Sequence, residues 1–267
     1  MDQHVHEFYT PSDEAPKGHF HKTINLVEQS NLTFEEVQGI FPEMPRGWYE
    51  LAHLPTSDRI EFTRQYWHSK LPYFTHKEAN IGQFFDSLGD IDIVLVQKEF
   101  EGPFGAHLVY SRKEDSGFFY GNIGATEKEF NALKQNFPAV IFPEDYLAFI
   151  QIHNGFSKGG DRGILTVEEV IADFNKFQCL IKEGEPLLLD NGQEINPATL
   201  IPFYESFDMP VYQCFWAEWY PEEEMGNVYF SCLTKTISDI QERPIGVENL
   251  AFPTFLEWLH FYLEKIG

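Results

Sequence analysis

Basic residues are scarce in this sequence. The 267-residue chain carries 19 Lys and Arg against 42 Asp and Glu, a formal net charge of −23. The deficit runs the whole length, with 19 acidic and 10 basic residues up to Gly124 and 23 and 9 from Ala125 onward. A field of that sign repels phosphate backbones and anionic lipid heads, so neither nucleic acid nor a membrane is an expected partner. It attracts basic proteins and speeds their encounter. Solubility alone accounts for the acidity equally well.

Cysteine is also sparse. Cys179, Cys214 and Cys232 are odd in number and none forms a CxxC pair. Three unpatterned thiols exclude a disulfide framework and read as small core hydrophobes of a reduced, cytoplasmic protein. No run of about 18 apolar residues is present, which gives no expectation of a membrane-spanning helix. The opening MDQHVHEFYT has neither the basic nor the apolar region of a signal peptide.

Aromatics are abundant, at 16% of residues with 26 Phe, within a hydrophobic content of 43%. That is ample for packed cores, built more from rings than from branched aliphatics. Residues 1–22 read as a flexible leader with no apolar period. Thr33-Phe-Glu-Glu36 is a capping box opening a helix to Ile40, which Pro42 ends. A helix from about Ser57 to Leu71 has Ile60, Phe62, Tyr66 and Trp67 as its apolar positions, and another over Lys77 to Leu88 has Ile81, Phe84, Phe85 and Leu88 on one face and Gly89 at its C′ position. The period then changes: Ile91–Val96, Phe104–Tyr110 and Gly117–Ile123 read as strands of an antiparallel meander. Residues 23–124 are thus helices followed by a small sheet.

After Gly124 the order is helix Glu127–Phe137, a helix after Pro143 closed by Asn154-Gly155, a capping box at Thr166-Val-Glu-Glu169, strands at Thr199–Phe203, Val211–Tyr220 and Asn227–Leu233, and a helix opened by Thr254-Phe-Leu-Glu257. The helix from Thr166 turns Val170, Ile171, Phe174, Phe177 and Ile181 inward. Residues 125–267 read as a second domain.

Catalytic and metal chemistry find little support. His4-Val-His6 and His19-Phe-His21 would each place two imidazoles on one side of an extended chain, a pattern open to a zinc site but more simply a solvated tail. Cys179, Cys214, Cys232 and His153 all read as structural, so no catalytic residue, metal or cofactor is assigned. Phe156-Ser-Lys-Gly-Gly-Asp-Arg-Gly163 lacks the Gly-Lys-Ser/Thr of a phosphate loop and reads as a mobile loop able to touch a partner. The densest acidic cluster is Glu222, Glu223 and Glu224 with Glu218 and Asp208. Strand alternation from Phe215 to Tyr220 puts Trp216, Glu218 and Tyr220 on one face, aromatic mixed with acid, as an interface for a basic partner would be. The same aromatics also fit the edge of a core.

The segments Phe142-Pro-Glu-Asp-Tyr-Leu-Ala-Phe-Ile150, His153-Asn-Gly155, Leu165-Thr-Val-Glu-Glu-Val170, Leu200–Pro202, Gly226–Tyr229 and Ala251–Leu259 follow one another in the order found in the SUKH superfamily of Smi/Knr cell-wall-regulator-like domains. Residues 125–266 resemble that superfamily. Tyr204-Glu-Ser-Phe-Asp-Met-Pro-Val211 stands where the superfamily usually has a glycine-rich hairpin, and residues 1–124 have no counterpart. The resemblance implies an α+β fold with an antiparallel or mixed sheet flanked by helices, here preceded by an N-terminal α+β half. It also implies a non-enzymatic binding role: an immunity-type protein blocking a toxin, or alternatively an intracellular scaffold. A small hydrolase or metalloprotein is the remaining alternative.

Overall fold

A computed structural model of the chain describes residues 3–10, 20–29, 31–72, 77–113, 117–182, 186–189, 192–206, 210–221, 223–238, 240 and 250–265, with the backbone alone at 77–80, 182 and 265. The chain divides into two compact units: residues 1–124 with Phe156–Gly160, and residues 125–155 with 161–266.

The first unit begins with a difference from the sequence reading. Gln3–Tyr9, inside the segment read as a leader, is a helix, α1, with Val5 and Tyr9 buried. Seven residues are too few to show a 3.6-residue period or to be stable without packing. The next elements are β1 (Lys22–Asn25), α2 (Phe34–Ile40), α3 (Arg46–Ala52), α4 (Thr56–Lys70), α5 (Lys77–Asp86), β2 (Leu88–Gln97), β3 (Phe104–Arg112) and β4 (Phe118–Asn122). The Thr33 box caps α2 on both sides, as its spacing requires. Gly89 lies within β2 rather than after a helix.

β1 to β4 pair antiparallel in sequence order, and β5 (Phe156–Lys158) adds to β4. The glycine-rich stretch read as a loop thus starts as a strand. Both faces of this sheet are covered, which is why β2 is buried continuously from Ile91 to Val96, Asp92 included. On one face Trp67 of α4 meets Phe84, Phe85, Tyr110 and Phe156, and its Nε1 donates to the Tyr110 hydroxyl at 3.1 Å. On the other, α1 packs Val5 and Tyr9 against Val94, Val96, Val109 and Phe118.

The second unit holds α6 (Glu127–Asn136), α7 (Glu144–Ile150), β6 (Gly163–Ile164), α8 (Val167–Lys182), β7 (Leu200–Glu205), β8 (Val211–Trp216), β9 (Asn227–Ser231), β10 (Thr236–Ile237), β11 (Ala251–Phe252) and α9 (Phe255–Lys265). β6 to β9 are antiparallel neighbours, and β10 and β11 share the far side of β9. Thr126 and Glu129 form a reciprocal box at α6, and Thr166 and Glu169 do the same at α8.

Alternation along β8 sends Tyr212, Cys214 and Trp216 to a core with Phe177 and Ile181 of α8. It sends Phe215 to the opposite core, with Tyr146 of α7 and Phe255 of α9. On α8 the sequence reading slips at one place: Cys179 is exposed and Gln178 is buried, because the Gln178 amide donates to the Pro197 and Leu200 carbonyls at 2.7 and 3.3 Å. The observed architecture is mixed α and β, with helices and antiparallel strand pairing.

Candidate protein-binding surface

β8 ends at Trp216, so the alternation expected to continue through Tyr220 does not. Trp216 is 2% exposed within the α8-side core, and this corrects its assignment to the partner surface. Its indole nitrogen has no hydrogen-bond partner among the described residues. Beyond it the chain turns back on itself. Trp219 N–H donates to the Trp216 carbonyl at 2.9 Å, Gly226 N–H to Trp219 at 2.9 Å, and Trp216 N–H to Gly226 at 3.0 Å. The half-buried Trp219 ring lies on Gly226, where a Cβ would stand 2.4 Å from a ring carbon. Only glycine leaves room for that ring.

This closed turn directs Glu218, Tyr220 and Glu223 outward, with Tyr220 47% exposed. Glu223 holds φ +64, the left-handed region, at the tip. Glu224 turns back, and its carboxylate accepts the Glu144 N–H at 3.1 Å, capping α7. Three residues before Glu144 stands Ile141, 81% exposed. Ile141 was missed from the sequence because a lone apolar residue between two helices carries no periodicity. Asp208 and Glu222, the other two residues of the expected acidic cluster, lie outside the described residues.

Behind the surface the α7 start is rigidly held. Asp145 accepts N–H groups from Tyr146 at 2.7 Å and from Leu256 at 2.9 Å. Burial pushes its carboxyl up to about 6, against the lowering effect of those two bonds and with a further rise from Glu224.

A second charged constellation lies at β6. Arg162 reaches the carboxylates of Glu205 and Asp173, with Glu169 at 3.8 Å. Tyr212 donates to Glu205 at 3.0 Å, and Tyr204 to Asp161 at 3.0 Å. One guanidinium thus sits among several carboxylates, which leaves this site net negative as well. Arg162 and Asp161 come from the loop read as partner-accessible, and here that loop is part of the polar framework.

Burial pushes the Cys214 thiol well above its ordinary range and raises Cys232 too, which opposes thiolate formation. His153 is fully buried. His4 and His6 lie on a helix, two residues apart and so on different sides, rather than side by side on an extended chain; His19 is outside the described residues. Among the described residues no group of three or more His, Cys, Asp or Glu is placed to hold a metal ion. A cleft of about 570 Å³ in the first unit is lined by Phe41, Val96, Lys98, Phe104, His107 and Asn122 among others. Among the described residues no helix is long and apolar enough to cross a membrane.

Comparison with curated proteins and with solved structures returned no match to this chain. The segments quoted above, the observed order of helices and antiparallel strands, and a match of residues 124–260 to one family model agree, and the chain belongs to the SMI1 / KNR4 family (SUKH-1).

Proposed function

We infer that the chain is a non-catalytic protein-binding module whose second unit grips a basic protein, in the manner of an immunity protein blocking its target. The observation that carries this reading is the join between Glu224 and the start of α7. It brings the turn with Tyr220, Glu218 and Glu223 to the α7 entrance, just after Ile141. Two exposed apolar side chains among carboxylates are what a basic partner with an apolar contact point would meet. The raised thiols and the buried His153 support a role without covalent catalysis.

The test is capture from cells of the native source by the full chain and by a Glu218→Lys/Glu223→Lys variant, followed by association kinetics at several salt concentrations. The reading expects basic proteins that bind the natural chain and not the variant, associating more slowly as salt rises. Equal capture by both forms, or capture insensitive to salt, overturns it. A regulatory scaffold is the second reading, and the specific observation in its favour is the first unit, a compact body largely outside the family match.

A further inference from the structure

Helix α4 buries polar side chains and exposes aromatic ones. Arg59, Thr63 and Trp67, four residues apart, face the core; Phe62 is 57% exposed and Tyr66 42%. The sequence pattern expects the reverse, with both aromatics inward. The orientation is fixed by Arg59. Its guanidinium donates to the Leu54 carbonyl at 2.7 Å, to the Thr56 hydroxyl at 3.0 Å and to the Asp90 carboxylate, while the Thr63 hydroxyl donates to the Arg59 carbonyl at 2.8 Å. Rolling the helix to bury Phe62 would strand a buried cation, a larger penalty than two wet rings.

The outward stripe is Asp58, Glu61, Phe62, Gln65, Tyr66 and Ser69, at i, i+3, i+4, i+7, i+8 and i+11, all exposed. We propose that this stripe is a docking site for a basic amphipathic helix of a partner protein, distinct from the surface around Tyr220. Phe62 and Tyr66 are spaced as the two anchors of a helix interface. Charge selects the occupant. Asp58 and Glu61 flank the anchors on the N-terminal side, in a unit whose acidic residues outnumber its basic ones. Of the nearby cations, Arg64 pairs with Asp86 and Glu61, while the Lys70 ammonium, 5.7 Å from the centre of the Tyr66 ring, stands exposed at the C-terminal end of the stripe. A second copy of this chain would set −23 against −23, so self-association is disfavoured.

The probe is a synthetic 18-residue amphipathic Leu/Lys peptide, with a Leu/Glu peptide of the same pattern as control. Hydrogen exchange of the full chain reads where each binds. The expected result is Leu/Lys-dependent protection over residues 58–69, none with Leu/Glu, and an affinity for Leu/Lys at least tenfold weaker in Phe62→Ser/Tyr66→Ser. That variant keeps every charge, so unchanged affinity would mean nonspecific attraction and would overturn the proposal. Protection that appears without peptide as the chain is concentrated overturns it in favour of self-association. Should the double variant melt early, Asp58→Lys/Glu61→Lys replaces it, with the same tenfold loss expected and an unchanged affinity again decisive against. Glu218→Lys/Glu223→Lys leaves α4 protection intact, so failure here and failure of the proposed function are separable.

Discussion

The Asp145 carboxylate on α7 accepts the Leu256 N–H at the first turn of α9, 2.9 Å away and 111 residues later in the chain. One side chain thereby satisfies an otherwise open donor of the closing helix and ties two helices of the second unit together.

The acid side of this contact titrates. Asp145 has an ordinary value of 3.8 and is raised by burial to about 6, so the folded unit holds its proton more tightly than the unfolded chain. Its contribution to stability is fully present below about pH 4 and is lost as pH rises through 6, by roughly 3 kcal/mol at most. Asp145→Asn cannot titrate. Denaturant midpoints of both proteins at pH 4.5 and 7.5 should show the natural chain losing ground to the variant at the higher pH; a constant gap would refute the assignment.

His107 in the first unit has the opposite sign. Burial, with a further push from Lys98, lowers it to about 3; its Nδ1 is bonded to the Tyr9 hydroxyl at 2.8 Å and its ring is stacked on Tyr120. The unfolded chain takes up the proton near 6.5 and the folded one does not, so stability is lost as pH falls from about 6.5 toward 3. His107→Gln should remove that loss while leaving pH 7.5 stability lower through poorer packing. Amide exchange in β3, followed from pH 7 to 4.5, is the measurement; an acid response identical in the variant would exclude His107 as its source.

Trp216→Ala should act on stability first. The side chain is buried with Leu200, Val228 and Phe230, and large-to-small changes of this kind cost about 3–5 kcal/mol. Because the indole nitrogen has no partner among the described residues, Trp216→Phe should cost clearly less. Equal losses in thermal melts of the two variants would point to an unrecognised bond at that nitrogen.

Gly226→Ala adds a Cβ into the Trp219 ring. The ring must swing off its seat, with an expected loss of about 1–3 kcal/mol. Intrinsic fluorescence should shift to the red as Trp219 meets water, before any unfolding. An unshifted spectrum would mean that the turn moves instead of the ring.

Local chemistry was legible from sequence and long-range pairing was not. Thr33 and Thr166 with a Glu three residues on state their helix starts in four letters, because the bonds close within one turn. The Thr126-Glu129 box is written in the same four-letter form at the start of α6. The roll of α4 depends on Asp90, 31 residues beyond Arg59, and the burial of Gln178 on two carbonyls about 20 residues away. No local pattern encodes those partners. At the proposed surface, Glu218 and Tyr220 were singled out by strand alternation and Glu223 and Glu224 by the local acidic run, and the structure leaves Glu218, Tyr220 and Glu223 exposed. Trp216 was misplaced because its strand stops where the aromatic run continues, and only the hydrogen bonds of the turn mark that end.

Strand β5 bears on how this gene can be cut. The polypeptide leaves the second unit after residue 155, gives Phe156–Lys158 to the first and returns by residue 161. Phe156 is fully buried there, stacked on Phe119 at 5.5 Å and edge-on to Trp67. Neither unit is therefore a contiguous reading frame. A truncation at residue 124 would hand the family-matched span an orphaned aromatic strand, prone to pair with another chain. Recombination that swapped one unit alone would break both, so the two are heritable only as a single exchangeable block.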